Sequence, residues 1–196
     1  MLNTNRMKAK IPVVAAMSLV AISAFGGCLD GGDGGTSTAI IETTKGTITV
    51  ELYDDKMPKT TDNFKKLAND GFYDGLIFHR IKDDFMIQGG GFWPNGTQKQ
   101  SPYGPIDLET HPDATHVDGA ISMARTNDPN SATSQFFICD GAQHFLDDNY
   151  AAFGKVIEGM DVVRDIASAQ HDGSLEPNPG GGKPVEDIVI ESITIQ

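Results

Sequence analysis

Apolar and polar residues alternate along Ala39–Tyr53, A-I-I-E-T-T-K-G-T-I-T-V-E-L-Y, a stretch rich in β-branched residues. A period of two puts alternate side chains on opposite faces of a strand. Lys45-Gly46 interrupts the run midway, so the segment reads as a β-hairpin. From Pro58 to Asn69 the period changes. Phe64, Leu67 and Ala68 recur at helical spacing, Pro58 suits a first turn and Gly71 a stop. Leu76–Ile81 and Phe85–Gln88 return to strand character, and Gly89-Gly90-Gly91 lets the backbone bend or come close to another group. Residues 92–118 are rich in Pro and Gly, with room for one short strand at Pro105–Leu108. Gly119–Ala124, Ser134–Cys139 and Ala151–Val156 are strand-like. Met160–Ala169 reads as a second helix with Val162, Val163 and Ile166 on one face. A Pro/Gly loop at Glu176–Pro184 leads into the alternating run Val185–Ile195. Short strands, two helices and no strand–helix–strand rhythm predict a mainly β domain over residues 39–196, an antiparallel barrel or sandwich.

The residues before Ala39 stand apart from this pattern. Arg6, Lys8 and Lys10 precede the uncharged apolar stretch Ile11–Phe25, which is short for a membrane span and suits a signal peptide over residues 1–27. F-G-G-C at Phe25–Cys28 resembles a prokaryotic lipoprotein signal, although Phe25 stands where an aliphatic residue is usual. The resemblance implies that Cys28 carries lipid and that the protein is exported, held at the cell membrane outside the cytoplasm. Residues 28–38 then form a Gly-rich tether, too polar to bury a core. The formal charge is −12; the expected signal carries three cations and no acid, so the remainder carries −15. Such a balance argues against nucleic acid or an anionic surface as partner. Cys139 is the only cysteine after Cys28. It follows the run F-F-I and reads as a small buried hydrophobe.

Chemistry concentrates around Phe78–Gly91, F-H-R-I-K-D-D-F-M-I-Q-G-G-G. Arg80 sits among core-like residues, and a guanidinium stays charged in a protein and is costly to bury unpaired. Either its stem covers the sheet or its charge acts in an apolar groove. His79 should face the opposite side of its strand. Ser122, Ser131 and Ser134 with His144 and Asp147 hold the residue types of a hydrolase triad, but no G-x-S-x-G turn accompanies them. His111 and His116 make a poor metal pattern, and no metal or cofactor is called for.

Phe78–Gly91, Gly119–Cys139 (G-A-I-S-M-A-R-T-N-D-P-N-S-A-T-S-Q-F-F-I-C) and Phe145–Gly159 (F-L-D-D-N-Y-A-A-F-G-K-V-I-E-G) together resemble the cyclophilin family of peptidyl-prolyl cis/trans isomerases, bacterial-type branch. The resemblance spans about residues 39–196. It implies a closed eight-stranded antiparallel barrel capped by two helices, acting on Xaa-Pro polypeptides, with nothing that demands more than a monomer. It assigns catalysis to Arg80 and Gln88. Phe85, Met86, Phe137 and Leu146 would hold the proline ring. Gln135 would support Gln88, and the Ala124–Arg125–Thr126 backbone would bind the residue before proline. Phe145 and Tyr150 would complete the wall. Phe145 replaces the tryptophan associated with strong cyclosporin binding in many eukaryotic members, so weak inhibition is expected. Tyr150 replaces a histidine, and Arg125 a common asparagine, where it would tune substrate preference. A module that holds proline-containing segments with little turnover is the alternative reading of the same groove.

Overall fold

A computed structural model describes residues 35–177 and 180–196. The expected signal peptide, Cys28 and the tether up to residue 34 lie outside the described residues. The expected hairpin is β1 (Ser37–Thr43) and β2 (Gly46–Leu52), paired in register from Ser37↔Leu52 to Thr43↔Gly46. The strand therefore starts two residues before Ala39, and the turn residues are Thr44 and Lys45 rather than Lys45 and Gly46. Helix α1 covers Pro58–Asn69, as its period and flanking residues predict. Its N-cap, Met57, has no side-chain oxygen to offer. The carboxylate of Glu109 supplies that function, accepting the N–H groups of Lys59 (3.3 Å) and Thr60 (2.9 Å).

Among the described residues six further strands and one α-helix follow, with a 3-10 turn at His144–Leu146. They are β3 (Arg80–Lys82), β4 (Met86–Gly89), β5 (Ala120–Met123), β6 (Phe136–Cys139), β7 (Ala152–Glu158), α2 (Met160–Ala167) and β8 (Ile190–Ile195). The strands form one sheet in the order β3-β4-β6-β5-β7-β2-β1-β8, antiparallel throughout. The two end strands do not pair as a ladder. The gap is crossed by an isolated bridge, Ile77↔Val189, with Phe78 N–H donating to Ile188 O (3.0 Å) and Ile190 N–H to Leu76 O (2.7 Å). The sheet is a curled half-barrel, so full closure overstates it. Leu76–His79 and Val185–Val189, both expected as strand, are these irregular joining segments. Pro105–Leu108 contributes only the single bridge Ile106↔Ala132.

The main core fills the inside of the curl. Phe64 of α1 packs its ring against Tyr73, Phe136 and Phe153 at 5.2–5.6 Å between centroids. All four side chains are fully buried. The Tyr73 hydroxyl donates to Ser134 O (3.1 Å), so its polar end is satisfied inside the core. Helix α2 closes the other side with Val163, Ile166 and Ala167. Cys139 is fully buried and burial pushes its thiol up to about 12, as expected of a packing residue rather than a nucleophile.

Candidate functional site

Strands β4 and β6 have two apolar faces. Ile87, Phe136 and Ile138 point into the main core. The alternating positions Met86, Phe137 and Cys139 join Ala120 and Leu146 in a second, smaller apolar cluster on the outer face, flanked by Phe85, Ala124 and Tyr150. Period-two geometry thus splits one sequence run between folding and an open slot. The slot has a volume of about 220 Å³ and is lined by Arg80, Phe85, Met86, Gln88, Ala124, Arg125, Phe137, Leu146 and Tyr150. Every expected pocket residue except Thr126, Gln135 and Phe145 lines it directly. Thr126 and Gln135 line the adjoining groove with Gln98, Ser131 and Thr133. Phe145 stands at the rim, 69% exposed, stacked on Phe85 at 6.0 Å.

Register brings the polar groups to the slot. Arg80 pairs with Gln88 across β3–β4, and Gln88 with Phe137 across β4–β6. Gln88 Nε2 donates to Gln135 Oε1 (3.1 Å), and Gly91 leaves the room this needs: a Cβ there would lie 2.5 Å from Gln135 Cγ. Arg80 Nη1 reaches Gln88 Oε1 only at 3.5 Å. Nε and Nη2 make the shorter contacts, both donating to Gly180 O at 3.2 and 3.1 Å. The guanidinium also lies 5.7 Å from the Phe85 ring centroid. Burial lowers its pKa from the ordinary value, yet an arginine in a protein keeps its charge. At the other end of the slot Arg125 spreads over the Tyr150 ring at 4.4 Å. It donates from Nε to Asn149 O (2.9 Å) and from Nη1 to Thr126 O (2.8 Å).

Behind Phe137 lies an arrangement the sequence did not suggest. His116, fully buried, stacks on Phe137 at 6.0 Å. Its Nδ1 pairs with Asp147 Oδ1 (2.8 Å) and its Nε2 with Ser122 Oγ (3.0 Å). The residue types match a hydrolase triad, with His116 in place of His144. Ser122 is also fully buried, so no substrate carbonyl can reach its hydroxyl. The chain of bonds instead braces the slot's rear wall. His144, which the sequence offers beside Ser122 and Asp147 as a triad residue type, is exposed and binds the second oxygen of Asp147 (2.9 Å). The pairing of His116 with Asp147 across 31 residues leaves no local spacing to read.

His79, just before β3, lies away from the slot, as expected of the residue next to Arg80, and packs on Phe92 at 4.6 Å. Its buried Nδ1 has no hydrogen-bond partner, and burial lowers the ring's pKa to about 4. The unfolded chain takes up this proton as pH falls past about 6.5, while the folded chain stays neutral until about 4. Stability from this group is therefore complete above pH 6.5 and declines below it. Between about pH 7 and pH 5 the His79 share of the loss is about 2 kcal/mol. Urea unfolding of wild type and His79→Phe at the two pH values should show a smaller drop in the variant; equal drops would contradict the assignment.

A curled antiparallel half-barrel thus bears a small apolar slot with a held guanidinium at its lip, a site shaped for a compact apolar ring or side chain beside a hydrogen-bond donor. The chain belongs to the cyclophilin-type peptidyl-prolyl cis–trans isomerases, whose family model, cyclophilin type peptidyl-prolyl cis-trans isomerase/CLD, matches residues 38–195. Peptidyl-prolyl cis-trans isomerase cyp18 of Streptomyces antibioticus is 44% identical over 81% of this chain and 98% of its own. Peptidyl-prolyl cis-trans isomerase B of Escherichia coli is 39% identical over 78% of this chain and 96% of its own. The crystal structure of a cyclophilin-type isomerase from Cryptosporidium parvum superposes with a TM-score of 0.70 at 30% identity, covering 82% of this chain and 98% of that one. Isomerisation of peptidyl-prolyl bonds is thus the activity of this chain.

Proposed function

We propose that the slot binds the proline of an Xaa-Pro segment and that Arg80 stabilises the twisted imide. A planar peptide bond resists rotation by about 18–20 kcal/mol because the nitrogen lone pair is delocalised. Twisting returns that lone pair to nitrogen. A fixed donor beside the proline nitrogen then gains a hydrogen bond that the planar states cannot give, so it lowers the barrier without tightening the ground state. An acceleration on the order of 10⁵ needs about 7 kcal/mol, within reach of one aimed cation plus desolvation and positioning. The observation that carries this reading is the guanidinium anchored through Nε and Nη2 at the lip of an apolar slot. Phe85, Met86, Phe137 and Leu146 hold the ring, and Gln88, braced by Gln135, holds the substrate backbone. The N–H groups of Ala124 and Thr126 are engaged within the chain, so the peptide groups of Arg125 take the residue before proline. A Cryptosporidium relative has also been crystallised in the presence of the dipeptide Ala-Pro, at 30% identity and a TM-score of 0.69. NMR exchange between the cis and trans forms of an Xaa-Pro peptide tests the proposal. Exchange far above the spontaneous rate supports it, and tight binding without exchange would make this chain a holding module instead.

The arginine at the slot's outer end sets a preference. Arg125 is pinned beside the groove, and at contact distance its charge outweighs the more distant, screened acidic groups of the chain, so peptides with Glu next to the Xaa-Pro unit should turn over about two- to fivefold faster than Lys counterparts. Arg125→Asn should erase the difference in paired assays of the two peptides.

The setting of this activity is part of the same proposal. The N-terminal pattern supports export and attachment through lipid on Cys28, where the enzyme would speed the folding of exported or surface proteins. Uncatalysed prolyl isomerisation takes tens of seconds or more, slow enough to limit such folding. Mass spectrometry of the mature N-terminus decides it: a diacylglyceryl adduct on Cys28 supports the anchor, and an unmodified cysteine removes it.

A further inference from the structure

The plane of the Arg80 guanidinium is set from a point 100 residues away in the chain. Gly180 O takes both Nε–H and Nη2–H, whereas the local partner Gln88 is reached only at 3.5 Å. Gly180 is itself held firmly. Its N–H donates to Leu175 O (2.8 Å), and Leu175 N–H donates back to Gly181 O (3.1 Å). Ile81, beside Arg80 on β3, exchanges both backbone hydrogen bonds with Gly182 (2.9 and 3.2 Å). At the centre is the carboxylate of Glu176. One oxygen, Oε1, accepts the Gly181 N–H (2.7 Å) and Lys82 Nζ (2.9 Å), tying the Gly180–Gly182 segment to β3 at the residue two beyond Arg80.

We propose that Glu176 is a positioning residue for catalysis, locking the Gly180 carbonyl in place so that it orients the Arg80 guanidinium; this rests on the role of Arg80 given above. Two parallel N–H bonds to one carbonyl fix both the direction and the plane of a guanidinium, with Nη1 on the Gln88 side. Lys82 and the Gly181 N–H hold the Glu176 carboxyl below its ordinary range, so the lock stays ionised at working pH. The backbone shape is also specific. Gly181 has φ +82, and a Cβ there would overlap Ile81 O. Glu176 is solvent-exposed and outside the slot, so it would act on turnover indirectly, through the segment that holds Arg80.

The test uses the full chain with Glu176→Ala, Glu176→Asp, Lys82→Met and Arg80→Ala. Glu176→Ala should lower kcat by about tenfold while KM for an Xaa-Pro peptide stays within about twofold, because orientation rather than binding is lost. The Arg80 Nε–H should exchange with solvent about tenfold faster, followed by NMR. Lys82→Met should move both readouts the same way, and Glu176→Asp should recover most of the loss. Wild-type turnover in Glu176→Ala, or reduced turnover with unchanged Nε–H exchange, would overturn the proposal. Arg80→Ala separates the two levels: full activity there removes the role of Arg80 itself. An inactive Arg80→Ala beside a fully active Glu176→Ala removes only the lock.

Discussion

Arg80→Ala should reduce kcat/KM on an Xaa-Pro peptide by about 10²–10³-fold, the usual loss when one aimed donor is removed from developing charge. Most of the loss should fall on kcat. In the planar states the proline nitrogen is a poor acceptor, so ground-state affinity should change by less than about threefold. Arg80→Lys is the sharper variant. A lysine keeps the charge, but it cannot donate from both Nε and Nη2 to Gly180 O while presenting a third group to the slot. It should regain no more than about tenfold. The fold should survive both changes, because Arg80 is half-buried and leaving Gly180 O without these two donors costs about 1–3 kcal/mol, short of a typical total stability. Single-turnover isomerase kinetics with a thermal melt check this. Wild-type activity in Arg80→Lys would show that charge alone suffices and that orientation is irrelevant.

Phe64→Ala should be the most damaging single core change, costing about 3–5 kcal/mol. Phe64 is fully buried and touches the rings of Tyr73, Phe136 and Phe153 together. Its loss opens a cavity under α1 and removes three ring contacts worth about 0.5–1.5 kcal/mol each beyond their burial. Against a typical total of about 5–15 kcal/mol, that is a large fraction of the stability. The melting temperature should fall by about 10 °C or more. Phe64→Leu, which keeps most of the volume, should lose less than half as much. Urea unfolding of the three proteins measures the order. A Phe64→Ala protein within about 1 kcal/mol of wild type would mean that the neighbouring rings collapse into the space.

The parts of this fold legible in the sequence are those written locally. Helix α1 is bounded by Pro58 and by the Asp70-Gly71 exit, and its period names Phe64 and Leu67 as core. The hairpin declares itself through alternation, with its turn displaced by one residue. The slot's apolar residues could not be told from core by pattern, because Met86 and Phe137 occupy strand positions as apolar as Ile87 and Phe136; the resemblance to a family separated them. Leu76–His79 and Val185–Val189 look like strand yet pair only by isolated bonds, since the curl of the sheet brings them together at an awkward join. The remaining features are long-range. Glu109 capping α1, His116 between Asp147 and Ser122, and Gly180 on Arg80 each join residues far apart in the chain. No local period marks them, because in each case at least one partner lies in a loop far along the chain, and a period reports only which face of its own element a residue occupies.

The alternation within β4 and β6 carries a consequence for how such a protein can diverge. Odd and even positions of the same ribbon answer to separate demands, one to cohesion of the interior and the other to whatever polypeptide arrives outside. Activity and recognition can therefore be retuned together at 86, 88, 135 and 137 while the interior partners at 87, 136 and 138 stay as they are. A laboratory library confined to the first set would explore new recognition on a scaffold whose robustness is held in reserve by the second.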